Sequence, residues 1–548
     1  MTKPSSPVTR RTFLKTSIAA TAGAASLPLT SHAFMRPQTA QYTRYNVMSE
    51  GGKRAVESYA RAIKIMLELP PTNPHNWFRN TFIHLMDCPH GNWWFYTWHR
   101  GYLGYFEQTI RNLSQDSSFA IPYWDWTTLP EIPPVMFQDV LTPVAEAFAP
   151  YTKNFGVFTS FIQPALEAYW NSLSAAQRNQ LNIRGYTDFD LMWNDVSGYS
   201  PSAQQGISGN MAYAITCGAR YLSPDNPKFD DKTAYAVSPF IINSGLEPTD
   251  WYNSDITLSF NSAKTPSHNT PPGSNSFSIL EGYPHNKVHN YIGGVGPLDP
   301  GPYGNMTNFL SPVDPIFFLH HSNMDRLWDV WTRKQQSIGK PYLPSPEEMQ
   351  SFGPEPFLFY VNAQGQPVVD SYARDYLGME RWGYQYEPGY PEDVRAVSQN
   401  TGASAKPKIR GTVRGNRGTL SVRSSAVQEH LATQAAAAAT LVAEVTLPHP
   451  GPNSPTREFD VLVGAPPGVT SVKADSPYYA GTIAFFGNMA HAHGTMAEAR
   501  FAVPLPKKPE AFKRLGAAAT ATVDIRIVPA HGSGKAPVLK SVAVREVS

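Results

Sequence analysis

Hydrophobic and polar positions repeat with two different periods along this chain, and the change of period marks its organisation. Val56, Tyr59, Ala60, Ile63, Met66 and Leu67 follow the three/four spacing of an amphipathic helix, which Pro70-Pro71 stops. Leu103, Phe106, Ile110 and Leu113 form a second stripe and predict a helix from about His99. Further helices are expected from near His285 and from near His321, the latter carrying Met324, Trp328 and Trp331. Long Pro/Gly/Asn-rich connections separate them, notably 261–276 and 293–304. After about residue 395 the period becomes two. Val523, Ile525 and Ile527 alternate with Thr522, Asp524 and Arg526, and Val542 and Val544 alternate with Ser541 and Arg545. Phe459-Asp460-Val461-Leu462-Val463 and residues 481–486 add strands, and no internal repeat is present. The expected architecture is mainly α: an antiparallel helix bundle with long loops over 34–395, then a small antiparallel β domain over 446–548. Residues 396–445 read as a linker, basic and Ser/Gly/Thr-rich at 401–425, with an Ala run that is either a short helix or a spacer.

Composition adds little to that picture except at the ends. The 50 prolines in 548 residues fit a loop-wrapped scaffold. A net charge of +2 gives no reason to expect nucleic acid or a membrane as partner, but the charge is uneven. Residues 401–548 hold 17 basic and 9 acidic residues, a surplus of +8, whereas residues 34–400 hold 24 and 34, or −10. An acidic body could therefore attract its basic tail, or the two surfaces could be solvated independently. Residues 1–33 read as a signal peptide. Thr9-Arg10-Arg11-Thr12-Phe13-Leu14-Lys15 is a twin-arginine motif, a weakly apolar stretch follows, and Ser31 and Ala33 suit a cleavage site. Export by that route, to the periplasm or outside the cell, suits a protein that folds before crossing. Two cysteines, Cys88 and Cys217, could form at most one disulfide.

The chemistry lies in two groups of histidines, seven in all, the last two adjacent. The first is His84-Leu-Met-Asp-Cys88-Pro-His90, followed by His99-Arg100; the second is His285-Asn286-Lys-Val-His289, followed by Asp314-Pro315 and His320-His321. His285 and His289, four apart, share a helix face and can grip one ion. His90 and His99 are nine apart and would oppose each other on one helix, so the Pro-His-Gly setting puts His90 on a loop. Only one of His320 and His321 can normally face a site, and Asp325 shares its face with His321. Neither group supplies an obvious ligating carboxylate. That disfavours a two-His-one-carboxylate iron, calcium or magnesium site and leaves copper or, as a His₃ hydrolase, zinc.

The segment from His90 through Trp98-His99-Arg100 to Glu107 resembles the first copper motif of tyrosinases, catechol oxidases and molluscan haemocyanins. Pro284-His285-Asn286 through His289, with Asp314-Pro-Ile-Phe-Phe-Leu-His320-His321 and Asp325-Arg326-Leu327-Trp328, resembles the second. Weaker similarity runs from residue 44 to about 390. The resemblance implies two copper ions, one on His84, His90 and His99 and the other on His285, His289 and His321. His75 has the more usual distance for the first ligand, but His84 has the expected setting. Cys88-Pro89-His90 resembles a Cys-x-His whose sulfur is bonded to the imidazole; a free thiol or a disulfide to Cys217 are the alternatives. Glu281 resembles a glutamate that orders a water, with Asn286 assisting if the helix begins near Pro284. Phe309 resembles an aromatic gate over the second copper. Arg44 with Tyr384-x-Tyr386 resembles a clasp at the ends of the catalytic core. The C-terminal domain resembles that of plant polyphenol oxidases, which covers the active site. The implied activity is tyrosinase: O₂-dependent ortho-hydroxylation of monophenols and oxidation of o-diphenols, with a phenolic small molecule as partner. A catechol oxidase without the first step and a haemocyanin-like carrier are the alternatives. The resemblance leaves homo-oligomers open. His491-Ala-His493 beside Met489 reads as a polar turn, or as a copper-handling spot.

Overall fold

The computed structural model describes residues 40–197, 211, 215, 219–270, 275–299, 301, 303–392, 408–450, 456–487, 498–512, 519–531 and 534–547. The signal segment, Cys217, Met489, His491 and His493 lie outside the described residues.

Helices Glu50–Glu68, Trp77–Asp87, Phe95–Ser114 and Ile316–Ser337 form the centre of the molecule. Ser49 and Asn76 cap the first two, each side chain accepting a first-turn N–H. The Phe95 helix starts one turn before the expected His99, with Asn92 Oδ1 taking the N–H of Trp94 at 3.1 Å. The last starts at Ile316, directly after Asp314-Pro315, so His321 sits one full turn inside it. The shared core is aromatic: Trp77, Trp98, Trp124 and Trp331 are fully buried, and Phe106 stacks on Phe318 with centroids 3.7 Å apart. Each buried ring contributes roughly 2–3 kcal/mol, which holds the helices rigidly around the site.

The region around His285 departs from expectation. The chain is helical from Ile279 onward, and Glu281–His285 forms a π turn before the helix Asn286–Gly293. Pro284, inside that turn, has no N–H for an i→i−4 bond, so the ladder widens there. The helix therefore does not begin near Pro284.

The strands are β1 (Tyr42–Arg44), β2 (Ser276–Phe277), β3 (Tyr384–Tyr386), β4 (Ile409–Arg410), β5 (Thr412–Arg414), β6 (Arg417–Arg423), β7 (Leu441–Pro448), β8 (Glu458–Val463), β9 (Tyr479–Ala484), β10 (Glu498–Pro504), β11 (Thr520–Pro529) and β12 (Ser541–Glu546). β1 pairs in parallel with β3, which aligns Arg44 with Tyr386. The others build two five-stranded sheets, in the orders β2-β10-β7-β12-β4 and β5-β6-β11-β8-β9. Val445, Val503 and Val544 from one and Leu420, Val523 and Ile525 from the other share a second core. The segment expected to be a linker is thus largely structured: β4, β5, β6, the helix Ser424–Ala432 and the start of β7 fall within 396–445. In β6 only Gly418, Leu420 and Val422 are buried, while Arg417, Thr419, Ser421 and Arg423 face water. The basic, polar character of the sequence is its solvent face.

Two features tie the β sheets to the helices. β2 belongs to the helical region yet pairs with β10, and Phe277 stacks on Phe501 at 4.8 Å. Buried ion pairs Lys287–Glu458 and Lys232–Asp460, 2.5 and 2.6 Å, cross the same boundary.

Candidate metal centre

Five helical elements and one loop deliver the histidines. His84 lies in the last turn of Trp77–Asp87, His90 in the loop after it, and His99 one turn into the next helix. His285 ends the π turn, His289 lies in the helix that follows, and His320 and His321 sit in Ile316–Ser337. Gly91 makes the His90 loop possible: its φ is +65°, and a Cβ there would lie 2.7 Å from Asn275.

The rings are oriented through their Nδ1 atoms. His84 Nδ1–H donates to the Phe309 carbonyl at 2.7 Å, His99 to Phe95 at 2.7 Å and His289 to Met306 at 2.8 Å. His285 Nδ1–H donates to Asn286 Oδ1 at 2.9 Å. Each such bond fixes the tautomer and leaves Nε2 as a lone-pair donor facing inward. Burial lowers the pKa of all six expected ligands, and of His320, keeping the imidazoles neutral.

Two Nε2 pairs lie at metal-sharing distances: His84 and His99 at 3.4 Å, and His289 and His321 at 3.2 Å. Bonds of about 2.0 Å from a tetrahedral metal put its ligands about 3.3 Å apart. Nε2 of His90 and of His285 is buried without a hydrogen-bond partner. Buried polar nitrogens without partners are rare, so these two fit the role of metal ligands. Ligand atoms also converge in the groups His285, His289, His320, His321 and His84, His99, His321. His321 stacks on His99 at 4.1 Å, at the centre; His320 lies against Trp126 at 4.7 Å, with neither nitrogen bonded. His75 bonds the carbonyl of Ala363 at 3.3 Å and belongs to none of these groups.

Several expected roles change. Phe309 stands beside the first set, its ring 5.3 Å from His90 and 6.3 Å from His84, rather than over the second. The ring against the second set is Phe486, after β9, 4.2 Å from His289 and 5.4 Å from His285. Sequence reasoning missed it. Glu281 accepts hydrogen bonds from Gly91 N at 2.6 Å and from Ser262 Oγ, so it links the His90 loop to the turn ending at His285. Burial raises its carboxyl to about 8, against these two bonds. Asn286 donates Nδ2–H to Ala484 of β9 at 2.9 Å while its oxygen holds His285. Asp325 turns away from the histidines to close the clasp. It accepts from Arg44 at 3.0 Å, Arg100 at 2.7 Å, Tyr386 at 2.6 Å and Tyr384. Cys88 Sγ lies 3.4 Å from His90 Nδ1 and accepts from Arg184 at 3.2 Å; burial pushes its thiol up to about 12.

A further network, also missed, braces the first set. His268 lies between Asp87 at 2.9 Å and Glu355 at 2.6 Å, and Trp98 Nε1–H donates to Asp87 at 2.7 Å. Burial would lower the His268 pKa, but the two carboxylates raise it to about 9. The charged ring therefore pins Asp87 three residues after His84 and Trp98 next to His99.

These histidines lie within a match to the family model for the common central domain of tyrosinase, over residues 56–334, and residues 7–28 match the twin-arginine signal model. The chain belongs to the tyrosinase family, and its metal is a pair of copper ions. It carries a twin-arginine export signal, consistent with a periplasmic or secreted protein, and no helix among the described residues is long and apolar enough to cross a membrane. Relatives include polyphenol oxidase II of Ipomoea batatas, 23% identical over 376 residues, covering 65% of this chain and 52% of that protein. A tyrosinase of Hahella sp. (strain CCB-MM4) is 26% identical over 308 residues, 56% of this chain and 48% of that protein. The chain spans about half the length of the curated relatives it matches. The solved latent aurone synthase (polyphenol oxidase) shares the fold: TM-score 0.51 at 19% identity, covering 95% of this chain and 93% of that one.

Proposed function

We propose that this chain is a tyrosinase, which ortho-hydroxylates monophenols and oxidises o-diphenols to o-quinones with O₂. The observation that carries the reading is the convergence of six buried, neutral imidazoles in two sets. His84, His90 and His99 would hold one copper, and His285, His289 and His321 the other. When bound, the copper pair supplies the redox chemistry with dioxygen and the phenol. The protein's part is placement and proton handling. Backbone carbonyls and Asn286 aim the imidazoles, and an aromatic wall keeps water out. Glu281 carries a carboxyl that titrates near neutrality one turn before His285, which suits it to take the proton a monophenol must lose.

One observation favours a catechol oxidase instead. Both Glu281 oxygens and both ends of the Asn286 amide already have one protein partner each, which leaves less of their hydrogen-bonding capacity for a water. The test is turnover of a simple monophenol and a catechol by the copper-loaded protein and by Glu281→Gln. The tyrosinase reading expects wild-type turnover of both, with monophenol turnover falling at least about tenfold more than catechol turnover in the variant. A wild type inert to every monophenol would make it a catechol oxidase. Reversible O₂ binding with no turnover of catechol would make it a carrier.

The C-terminal sheets would restrain this activity as a cover. Phe486 against His289, Asn286 bonded to Ala484, and the Lys287–Glu458 pair support that role.

A further inference from the structure

A cavity of ≈ 300 Å³ opens on the outer face of the helix that carries His84. Its floor is Arg79, Ile83 and Met86, spaced i, i+4 and i+7 on one face, about 140° around the helix from His84. Arg79 is only 6% exposed, and its Nε and Nη1 are buried with no hydrogen-bond partner. Among the described residues no carboxylate pairs with it. The guanidinium lies 4.0 Å over the ring of Tyr169, which also lines the cavity. That contact orients the cation and leaves its charge uncompensated. Ala165 and Pro367 complete apolar walls, and exposed Ala168 stands at the mouth.

A buried cation without a counter-charge is costly, and buried donors almost always find acceptors. We infer that this cavity is a binding site for a small organic monocarboxylate with a flat apolar body, its carboxylate on Arg79 and its body between Tyr169 and the aliphatic wall. The volume lies at the small end of ligand pockets. One guanidinium and few other donors match a single negative charge rather than a phosphate dianion, which needs more donors. The site is separate from the histidine centre and does not depend on which phenol reacts there.

Calorimetric titration of the copper-loaded full chain tests the assignment, with phenylacetate, its neutral isostere 2-phenylethanol and inorganic phosphate as probes. Phenylacetate should bind one-to-one, and at least about tenfold more tightly than 2-phenylethanol or phosphate, the worth of one charge-assisted hydrogen bond. Arg79→Met should abolish that preference, and Ala168→Trp, which closes the mouth from an exposed position, should abolish binding. Because Arg79→Met removes an uncompensated buried charge, its melting temperature without ligand should equal or exceed the wild type's, and phenylacetate should no longer raise it. Absence of phenylacetate binding to the wild type overturns the proposal. So does unchanged affinity in Ala168→Trp, which would place the ligand elsewhere, such as at the coppers.

Discussion

Glu458→Gln tests how the β sheets are held over the histidines. Glu458, on β8, accepts from Lys287 Nζ at 2.5 Å, His531 Nε2 at 2.9 Å and Asn290 Nδ2 at 3.1 Å. Lys287 lies between His285 and His289 and is fully buried. Burial alone would raise the Glu458 carboxyl, yet Lys287 and His531 bring it from 4.5 down to about 2. The carboxyl is therefore held ionised against its burial, as one half of an ion pair. Glutamine keeps the shape but leaves the Lys287 ammonium buried and unpaired, which costs about 3–5 kcal/mol.

If that energy holds the cover closed, its loss shifts the open-to-closed ratio on the order of 100-fold. Catechol turnover by Glu458→Gln should rise toward the fully open rate, with two coppers still bound and a lower melting temperature. Lys287→Met combined with Glu458→Gln, which removes the stranded cation, should recover much of the stability without restoring low activity. The reasoning is refuted if Glu458→Gln melts earlier but is no faster with copper retained, because the pair would then stabilise the fold without gating the site.

Metal analysis should find two coppers per chain, with His99→Ala and His285→Ala each losing one; two zincs with no copper uptake would end the oxidase reading. The Cys88–His90 peptide from copper-loaded protein should be two hydrogens lighter than its sequence mass and resist alkylation, since Sγ already lies 3.4 Å from the ring; an alkylatable Cys88 after denaturation refutes the bond. Brief acid treatment followed by assay at neutral pH should raise catechol turnover. Glu458 and Asp255, the latter paired with Lys408 and Arg545, both have carboxyls lowered to about 2. Their contribution is complete above pH 4.5 and fades as pH falls toward 2, so activation confined to alkaline pH would contradict it. Phe486→Ala should increase turnover without changing copper content, and equal turnover would leave Phe486 as packing alone.

What could be read from the sequence was local. The helix over 50–68 follows from a stripe about three turns long, from Val56 to Leu67, and the loop position of His90 follows from proline before it and glycine after it. Histidine spacing on a helix also places His285 and His289 on one face, and their rings lie 4.6 Å apart. Contacts across long separations were not legible. Nothing near Glu281 announces its bond to Gly91, 190 residues away, and nothing near Asp87 announces His268. The supposed linker failed for a different reason: β6 buries only Gly418, Leu420 and Val422, so its outward arginines dominate any windowed composition.

Phe486 is the instructive miss, because elementary strand geometry contains the signal. Successive side chains of an extended chain point to opposite faces. In Ala484-Phe485-Phe486-Gly487, at the end of β9, two adjacent rings therefore cannot both enter one core. Phe485 joins the core between the sheets, meeting Phe501 edge to face at 5.2 Å, and Phe486 must leave it. A phenylalanine forced outward at a strand end is either exposed or buried in something else. Here it is 6% exposed and belongs to the helical core, among His90, His285 and His289. Gly487 follows with φ +72°, and a Cβ there would lie 2.5 Å from Phe309, so the chain turns away directly over the site. The same alternation that defines the β sheets thus supplies the side chain that lies against His90, His285 and His289, and the two phenylalanines should separate by experiment. Phe485→Ala should loosen the sheets through an internal cavity, whereas Phe486→Ala should leave the sheets intact and open the histidines to substrate.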